Sequence, residues 1–185
     1  MTITDQDYLF FLAAVKYSSK YDFSQYSEKS LKRRLGKVLS DNRININILI
    51  NKLKNSREFV EKIVKEITVN TTELFRDPQV WQAIRYAILP KLKSNSVINI
   101  WHAGCSSGQE VYSMLILLNE LEIIDKVKIY ATDLNSDVLD SAKIGEYKYR
   151  FNIGYLDNFD KVIKENPYNY EEYNDVPYEK YFDID

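Results

Sequence analysis

The segment NIWHAGCSSGQEVYSM, residues 99–114, places two glycines among small polar residues, between an apolar run and a helix-like pattern. Gly104 and Gly108 lack a Cβ atom, so the backbone there can approach a ligand closely or adopt a positive φ angle. The N–H groups that open the following helix point at the same place. The segment therefore predicts a ligand-binding turn, and the alternative is a tight strand-to-helix connection without a ligand.

Two carboxylates accompany this turn. Asp133 follows a second apolar run, 29 residues after Gly104, where a carboxylate can accept two hydrogen bonds from the ribose diol of NAD or of S-adenosylmethionine (SAM). The glycines do not have the G-x-G-x-x-G spacing of a pyrophosphate site. Glu110 opens the helix, where it would repel a diphosphate but attract a cation, and SAM carries a sulfonium and an ammonium group. These details favour SAM over NAD.

The elements that must position these groups alternate between strands and helices. Apolar runs predict a short buried strand in VINIW, 97–101, and a second strand in VKIYAT, 127–132. Helical periodicity predicts helices over about 109–121 and 136–144. This order indicates an α/β fold with a parallel sheet and right-handed crossovers. Ligands bind at the carboxyl ends of the strands in such sheets, which is where the glycine turn and Asp133 both lie.

A further helix is predicted before the first strand, with Asp77 as its N-cap and Pro78 as its first residue. We expect Pro90 to end it and its buried face to consist of Val80, Trp81, Ile84, Ala87 and Ile88. Trp101 is also expected in the core, and His102 and Cys105 are expected to be packing residues. Beyond Gly145 the periodicity fades, which predicts irregular surface chain with one helix near 156–164.

The first seventy residues have the pattern of four helices, so we divide the chain into domains at 1–70 and 71–185. The first, second and fourth helices have apolar faces at helical spacing, and the third covers NINILINKLK, 45–54. Asn55 and Glu58 predict the start of the fourth helix. The three faces consist of Tyr8, Phe11, Leu12 and Val15; of Leu31, Leu35, Val38 and Leu39; and of Phe59, Ile63, Val64 and Ile67.

Composition excludes several classes of protein. The net charge of −2 gives no overall attraction to nucleic acid or to a membrane surface, and no apolar run approaches the length of a membrane span. One cysteine and one histidine exclude a disulfide framework and most metal sites. We therefore predict a cytoplasmic protein without a metal, without nucleic acid as a partner and without membrane insertion.

Basic residues concentrate in 27–43, with six basic against two acidic residues, whereas 157–185 has nine acidic against three basic residues. Lys29, Arg33 and Lys37 are four residues apart, on the side of the second helix opposite its apolar face. Three interpretations remain open for this basic stripe: a solvated surface, contact with a protein partner, or contact with nucleic acid. The low net charge and the acidic C-terminal segment argue against nucleic acid.

Three motifs occur in order along the chain: ITVNTTELFRDP at 67–78, HAGCSSGQEVYS at 102–113 and YATDLNSDVLDSAKIGEY at 130–147. Together they resemble the CheR-type chemoreceptor glutamate methyltransferases, and YDFSQYSEKSLKRRL, 21–35, resembles the N-terminal segment of that family. Gln109 stands where the family often has Glu. The resemblance implies a small all-α N-terminal domain followed by a partial, Rossmann-like SAM-dependent methyltransferase domain.

The resemblance also implies roles for individual residues. Asn70, Thr72 and Arg76 would lie beside the methionine end and methyl group of SAM, Gly104 and Glu110 would line the same pocket, and Asp133 would bind the ribose. Arg76 would in addition aim the acceptor carboxylate. The alternatives are helix capping for Asn70 and Thr72, and an ion pair with Asp77 or Glu73 for Arg76. Lys29, Arg33 and Lys37 would meet the helical cytoplasmic region of a chemoreceptor or another signalling protein.

The implied reaction converts receptor glutamates to methyl esters and SAM to S-adenosylhomocysteine (SAH), in chemotaxis adaptation. Only two strands are recognisable, fewer than the family's sheet contains, so we expect an N-terminal portion that is inactive alone. Its open sheet should self-associate or be covered by the acidic tail, 157–185. A non-catalytic adaptor of the same fold is the alternative function. A nucleic-acid methyltransferase is disfavoured because the Asp/Asn-Pro-Pro-aromatic motif is absent from this sequence.

Overall fold

The computed structural model describes residues 3–68, 72–147 and 153–183. The chain divides into two compact units, Met1–Val69 and Asn70–Asp185. Each unit has its own cluster of buried apolar side chains. In the part of the chain that is described, no helix combines the length and the apolar character needed to cross a membrane.

The first unit consists of four helices: α1 (Asp5–Ser18), α2 (Glu28–Asp41), α3 (Ile46–Asn55) and α4 (Arg57–Ile67). Side-chain caps start all four, as at α1, where Thr4 and Asp7 form a reciprocal capping box. The predicted N-cap of α4, Asn55, is wrong. Asn55 is the last residue of α3, and the adjacent Ser56 caps α4 by accepting a hydrogen bond from Phe59 N at 3.1 Å.

The predicted apolar face of α2 is confirmed, since all four of its residues are buried. On α4 the buried set contains Val60 in place of Phe59, which is only half-buried. Val60, Ile63, Val64 and Ile67 have the i, i+3, i+4, i+7 spacing of a helical stripe, whereas Phe59 lies one position outside it. On α1, Leu12 is half-buried and Ala14 joins the buried face.

The second unit contains two parallel strands, β1 (Ile98–Ala103) and β2 (Val127–Thr132), paired in register from Ile98 with Val127 to Ala103 with Thr132. Its α-helices are α5 (Pro78–Ala83), α6 (Leu89–Leu92), α7 (Gln109–Glu120), α8 (Ser136–Ile144) and α9 (Ile153–Phe159). A π-helical segment, Ile84–Ile88, joins α5 to α6, and another, Asp160–Lys164, extends α9. Short 3-10 turns lie at Ile124–Lys126 and Tyr178–Lys180.

Only one face of this sheet is covered by the described residues. Ile98 and His102 are buried, but Trp101 is 69% exposed and its register partner Tyr130 is 55% exposed. The predictions of a buried VINIW strand and of a core position for Trp101 are therefore wrong. Successive strand residues point to opposite faces, so one covered face buries only alternate residues.

The helical segment before β1 buries a different stripe from the predicted one. Asp77 precedes it without a side-chain capping bond, although Pro78 occupies the first turn as predicted. Trp81, Arg85 and Leu89 are buried. Of the predicted face, Trp81 is buried and Ile84 half-buried, but the other three residues are exposed: Val80, Ala87 and Ile88.

The π-helical segment explains this difference. Leu89 N donates to the Ile84 carbonyl, a bond that spans five residues and rotates the residues that follow. Pro90 has no N–H to give and its ring clashes with the carbonyl four residues earlier, which disfavours regular α-helix just before it. Pro90 lies inside α6, so the prediction that it ends the helix is wrong.

The C-terminal segment packs against the core, in contrast to the prediction of irregular surface chain. Phe159 is fully buried, and the rings of Tyr178 and Phe182 each lie 5.5 Å from its ring. Tyr181 OH and Lys180 Nζ both reach the Glu120 carboxylate on α7, at 2.5 and 2.7 Å. Tyrosine is amphipathic, so a Tyr-rich and acidic segment can have a buried apolar side without an obvious apolar pattern.

Candidate functional site

The turn between β1 and α7 is held by the end of β2. Gly104 N and Cys105 N both donate to the Thr132 carbonyl, at 2.8 and 2.9 Å. Gly104 and Gly108 have φ angles of 82° and 94°, a region that favours glycine. A Cβ at Gly108 would lie 2.9 Å from Ala142 Cβ, whereas a Cβ at Gly104 would meet no atom within 4 Å. Gly108 therefore permits close packing, and Gly104 borders open space.

Asp133 joins this turn to the second strand. Its Oδ2 accepts a hydrogen bond from Ser106 N at 2.9 Å, and its Oδ1 accepts one from Asn135 N at 2.8 Å. Asn135 in turn caps α8 by accepting from Asp137 N. The carboxylate has further acceptor capacity on both oxygens, so it can still accept hydrogen bonds from a ligand's hydroxyl groups.

Glu110 lies in the first turn of α7, and its side chain is 56% exposed. His102 on β1 is buried, and its Nδ1 lies 2.7 Å from Glu110 Oε1. This hydrogen bond lowers the pKa of the Glu110 carboxyl below its ordinary value, so the group is an anion at neutral pH. We predicted that His102 is a packing residue; it is buried, but its contact with Glu110 was not foreseen from the sequence.

The segment that contains Thr72 and Arg76 is tied to the N-terminal half of α7. Tyr155 OH donates to the Thr72 carbonyl at 3.3 Å and accepts from Gln109 Nε2 at 3.4 Å. Phe75 N donates to the buried Ser113 Oγ at 2.8 Å. Both the segment and the glycine turn are therefore connected to the same helix.

Arg76 has an exposed side chain, with its Nε 3.8 Å from Asp77 Oδ2. An ion pair with Asp77 was the alternative role that the sequence left open for Arg76, and the observed contact is a loose pair of this kind. Phe75 and Asp77, on either side, both have positive φ angles, 50° and 57°. Non-glycine residues in this region cost free energy, and such strain is frequent at functional sites. Asn70, the third predicted residue of this segment, lies outside the described residues.

Two tyrosines that the sequence did not single out make hydrogen bonds at the turn and between α7 and α8. Tyr147 OH donates to the Ser107 carbonyl at 2.7 Å, and Tyr112 OH donates to the Ala142 carbonyl at 2.9 Å. Burial raises the pKa of Tyr147, so its hydroxyl remains a donor at neutral pH. The position of Tyr147 at the end of the third motif could have indicated a role in the site. Its hydrogen-bond partner, Ser107, could not be inferred because it lies forty residues earlier in the chain.

A cavity of about 1010 Å³ lies among the described residues of the second unit. It is lined by residues of α7, including Tyr112, Leu115 and Asn119, and by Tyr147, Tyr155 and Tyr181. Gly104, Glu110 and Asp133 do not line it.

The predicted basic stripe lies in the first unit, where Lys29, Arg33 and Lys37 are all exposed on α2. Lys37 pairs with Asp41 at 2.6 Å. Exposed pairs of this kind are weak, so this pair leaves Lys37 able to exchange partners.

The residues of the turn fit SAM. Glu110 is an exposed anion for a sulfonium or ammonium group, Asp133 has acceptor capacity for a ribose diol, and Gly104 leaves open space beside the backbone. Ser106 Oγ is buried without a hydrogen-bond partner in the described residues, so the turn has a further polar atom to offer.

Comparison with known proteins assigns both units. Residues 6–68 match the all-alpha domain of CheR methyltransferase, and residues 70–158 match the SAM binding domain of CheR methyltransferase. The second match identifies SAM as the cofactor of this domain. It also agrees with the observed order of a helical unit followed by a unit with a small parallel sheet.

Curated relatives agree with these matches. The putative methyltransferase Cher3 of Pseudomonas putida is 34% identical over 157 residues, which cover 84% of this chain and 58% of that protein. A chemotaxis protein methyltransferase of Listeria monocytogenes is 32% identical over 149 residues, which cover 79% of this chain and 57% of that protein. The chain thus spans little more than half the length of these relatives. It belongs to the CheR methyltransferase family.

Proposed function

We propose that the protein transfers a methyl group from SAM to glutamate side chains of chemoreceptors in the cytoplasm, giving glutamyl methyl esters and SAH. The observation that carries the proposal is the hydrogen bond from Ser106 N to Asp133, because it joins the two parts of the predicted SAM site at one turn. The names of relatives such as the Listeria monocytogenes chemotaxis protein methyltransferase support the choice of pathway.

Three residues of the turn would hold the cofactor. Glu110, an exposed anion, binds the cationic methionine end, Asp133 accepts hydrogen bonds from the ribose, and Gly104 lets the backbone come close. When bound, SAM supplies an electrophilic methyl group attached to positively charged sulfur. The N–H groups at the start of α7 complete the polar surroundings of the turn.

The acceptor needs no general base, because a glutamate has an ordinary pKa of about 4.3 and is ionised at neutral pH. The protein's task is to place that carboxylate in line with the methyl group. Arg76 is suited to this task, since its exposed guanidinium can bind both carboxylate oxygens at once. The acceptor loses its charge in the reaction, so Arg76 should orient it without binding it tightly. Thr72 and Asn70 would support the same end of the site.

Lys29, Arg33 and Lys37 would attract the helical, glutamate-bearing region of the receptor. Their exposure on one side of α2 suits a partner with an acidic surface, and such steering raises association rates. The basic stripe would therefore increase the rate of association with the receptor, whereas the glycine turn would bind the cofactor.

The 185 residues alone would transfer methyl groups slowly. The described site residues would contact only the ribose and methionine ends of the cofactor, and one face of the two-stranded sheet exposes Trp101 and Tyr130. The same face would promote self-association.

A test of the proposed function combines two measurements on the full-length protein. Calorimetry should show binding of SAH, and incubation with radiolabelled SAM and a receptor cytoplasmic fragment should label the receptor. Mild alkali should release that label as methanol, because esters hydrolyse and methylated amines do not. Binding of SAH without receptor labelling would support a non-catalytic adaptor instead, and alkali-stable label would exclude a carboxylate acceptor.

A further inference from the structure

The only histidine of the sequence is buried and makes a directed contact that the proposed chemistry does not use. His102 is 4% exposed, and its Nδ1 lies 2.7 Å from Glu110 Oε1. Its other nitrogen, Nε2, is buried and has no hydrogen-bond partner in the described residues. Within the described part of the chain the ring thus has one polar contact, and that contact reaches Glu110, a residue of the proposed SAM site.

We propose that His102 is a positioning residue that holds the Glu110 carboxylate at the glycine turn, ready for the cationic end of the cofactor. This inference rests on the proposed function, in which Glu110 binds that end. Glu110 is an anion and can only accept, so Nδ1 must carry the proton that joins them.

The energetic reason lies in the exposure of Glu110. A glutamate side chain that is 56% exposed samples several rotamers in water and must lose that freedom when it binds a ligand. The bond from His102 fixes Oε1 from inside the protein, and Oε2 stays available. A group that is already placed loses less entropy on binding, which increases affinity.

Two substitutions of His102 can distinguish a positioning role from a packing role. An asparagine at position 102 would place an amide nitrogen near the location of Nδ1, whereas a glutamine would place it near Nε2. A packing residue would respond to the change in volume, and a positioning residue should respond to the place of the donor. His102→Asn and His102→Gln therefore form a matched pair.

The binding experiment measures the dissociation constant of SAH by calorimetry in the full-length protein. We expect His102→Gln to weaken binding about tenfold, equivalent to about 1.4 kcal/mol, and His102→Asn to remain within about threefold of wild type. In a Glu110→Gln background, His102→Gln should cause no additional loss, because the group that His102 positions has changed. Equal losses in His102→Asn and His102→Gln, or no loss in either, would overturn the inference.

A spectroscopic measurement on the ligand-free protein is independent of binding. With ¹⁵N-labelled histidine, the imidazole signal that disappears in His102→Asn is that of His102. The proton should reside on Nδ1, and a ring protonated only on Nε2 would contradict the proposal even if His102→Gln failed to fold. Failure of the wild-type protein to bind SAH would overturn the proposed function and this inference together. Normal SAH binding with indifferent His102 variants would overturn this inference alone.

Discussion

Asp133 lies at the carboxyl end of β2. Its two carboxylate oxygens accept hydrogen bonds from the backbone N–H groups of Ser106 and Asn135, which belong to two different loops. The same carboxylate therefore has two roles. It stabilises the turn, and we propose that it accepts hydrogen bonds from the ribose hydroxyl groups. The sequence predicted the second role from the position of Asp133 after a strand. It could not predict the first, because the Ser106 bond depends on how the two loops meet in space.

Asp133→Ala should weaken SAH binding by about 1.5–3 kcal/mol, because it removes charge-assisted hydrogen bonds. It should also lower thermal stability, since Ser106 N and Asn135 N lose their acceptor. Calorimetry and thermal unfolding measure the two effects. Asp125→Ala is the matched control, because Asp125 is an exposed carboxylate at the opposite end of β2. Unchanged SAH affinity in Asp133→Ala would remove Asp133 from the site.

Arg76→Ala should reduce methyl transfer to the receptor far more than it reduces SAH affinity, if Arg76 orients the acceptor. Arg76→Lys should restore little activity, since an ammonium cannot form the two parallel bonds of a guanidinium. Steady-state kinetics and calorimetry provide the comparison, with Lys91→Ala as a control at an exposed cation of α6. Equal losses of activity and affinity would make Arg76 a cofactor or structural residue.

At the scale of elements, sequence periodicity correctly predicted α2, α7, β2 and α8, because one face of each helix or a short β-prone run dominates the pattern. It failed before β1, where the π-helical segment at Ile84–Ile88 rotates the buried face to include Arg85. Arg85 is buried because its guanidinium donates to the carbonyls of Val162 and Ile163. Those partners are nearly eighty residues away, so no local pattern could indicate them.

The glycine turn was also predicted, but the two glycines serve different purposes. Gly104→Ala should cost about 1–2 kcal/mol of stability, from its positive φ angle alone. Gly108→Ala should cost more, because the new Cβ would also lie 2.9 Å from Ala142 Cβ. Urea unfolding of the two variants measures the difference. A larger loss in Gly104→Ala would contradict the packing that we describe between the turn and α8.

At the scale of the whole molecule, the two units have separate cores and separate proposed tasks. The helical unit contains the exposed basic stripe, and the second unit contains the cofactor residues. The resemblance to a family predicted both units, because its motifs fall in each of them. The open sheet was expected from the small number of strands, but Trp101 was wrongly assigned to the core, because a tryptophan in an apolar run suggests a buried position.

Reversal of Lys29, Arg33 and Lys37 to Glu should slow receptor methylation and leave SAH affinity unchanged. The reaction should also become less sensitive to salt, because exposed charges are screened over about 8–10 Å at ordinary ionic strength. Initial rates at several salt concentrations test this. Reversal of Lys20, Lys54 and Arg57, which are also exposed in the first unit, is the control of equal charge. Wild-type kinetics in the stripe variant would identify the stripe as a solvated surface.

The 185-residue chain alone should self-associate, because one face of its two-stranded sheet exposes two large aromatic side chains. Trp101 is 69% exposed and Tyr130 is 55% exposed, and they are paired in register. Their burial between two copies would remove apolar surface from water at about 25 cal/mol per Å². Sedimentation velocity should show concentration-dependent association that Trp101→Thr with Tyr130→Thr reduces. Tyr168→Thr with Tyr170→Thr is the control, since these tyrosines are exposed outside the sheet. If the control pair reduces association equally, the sheet face is not the contact.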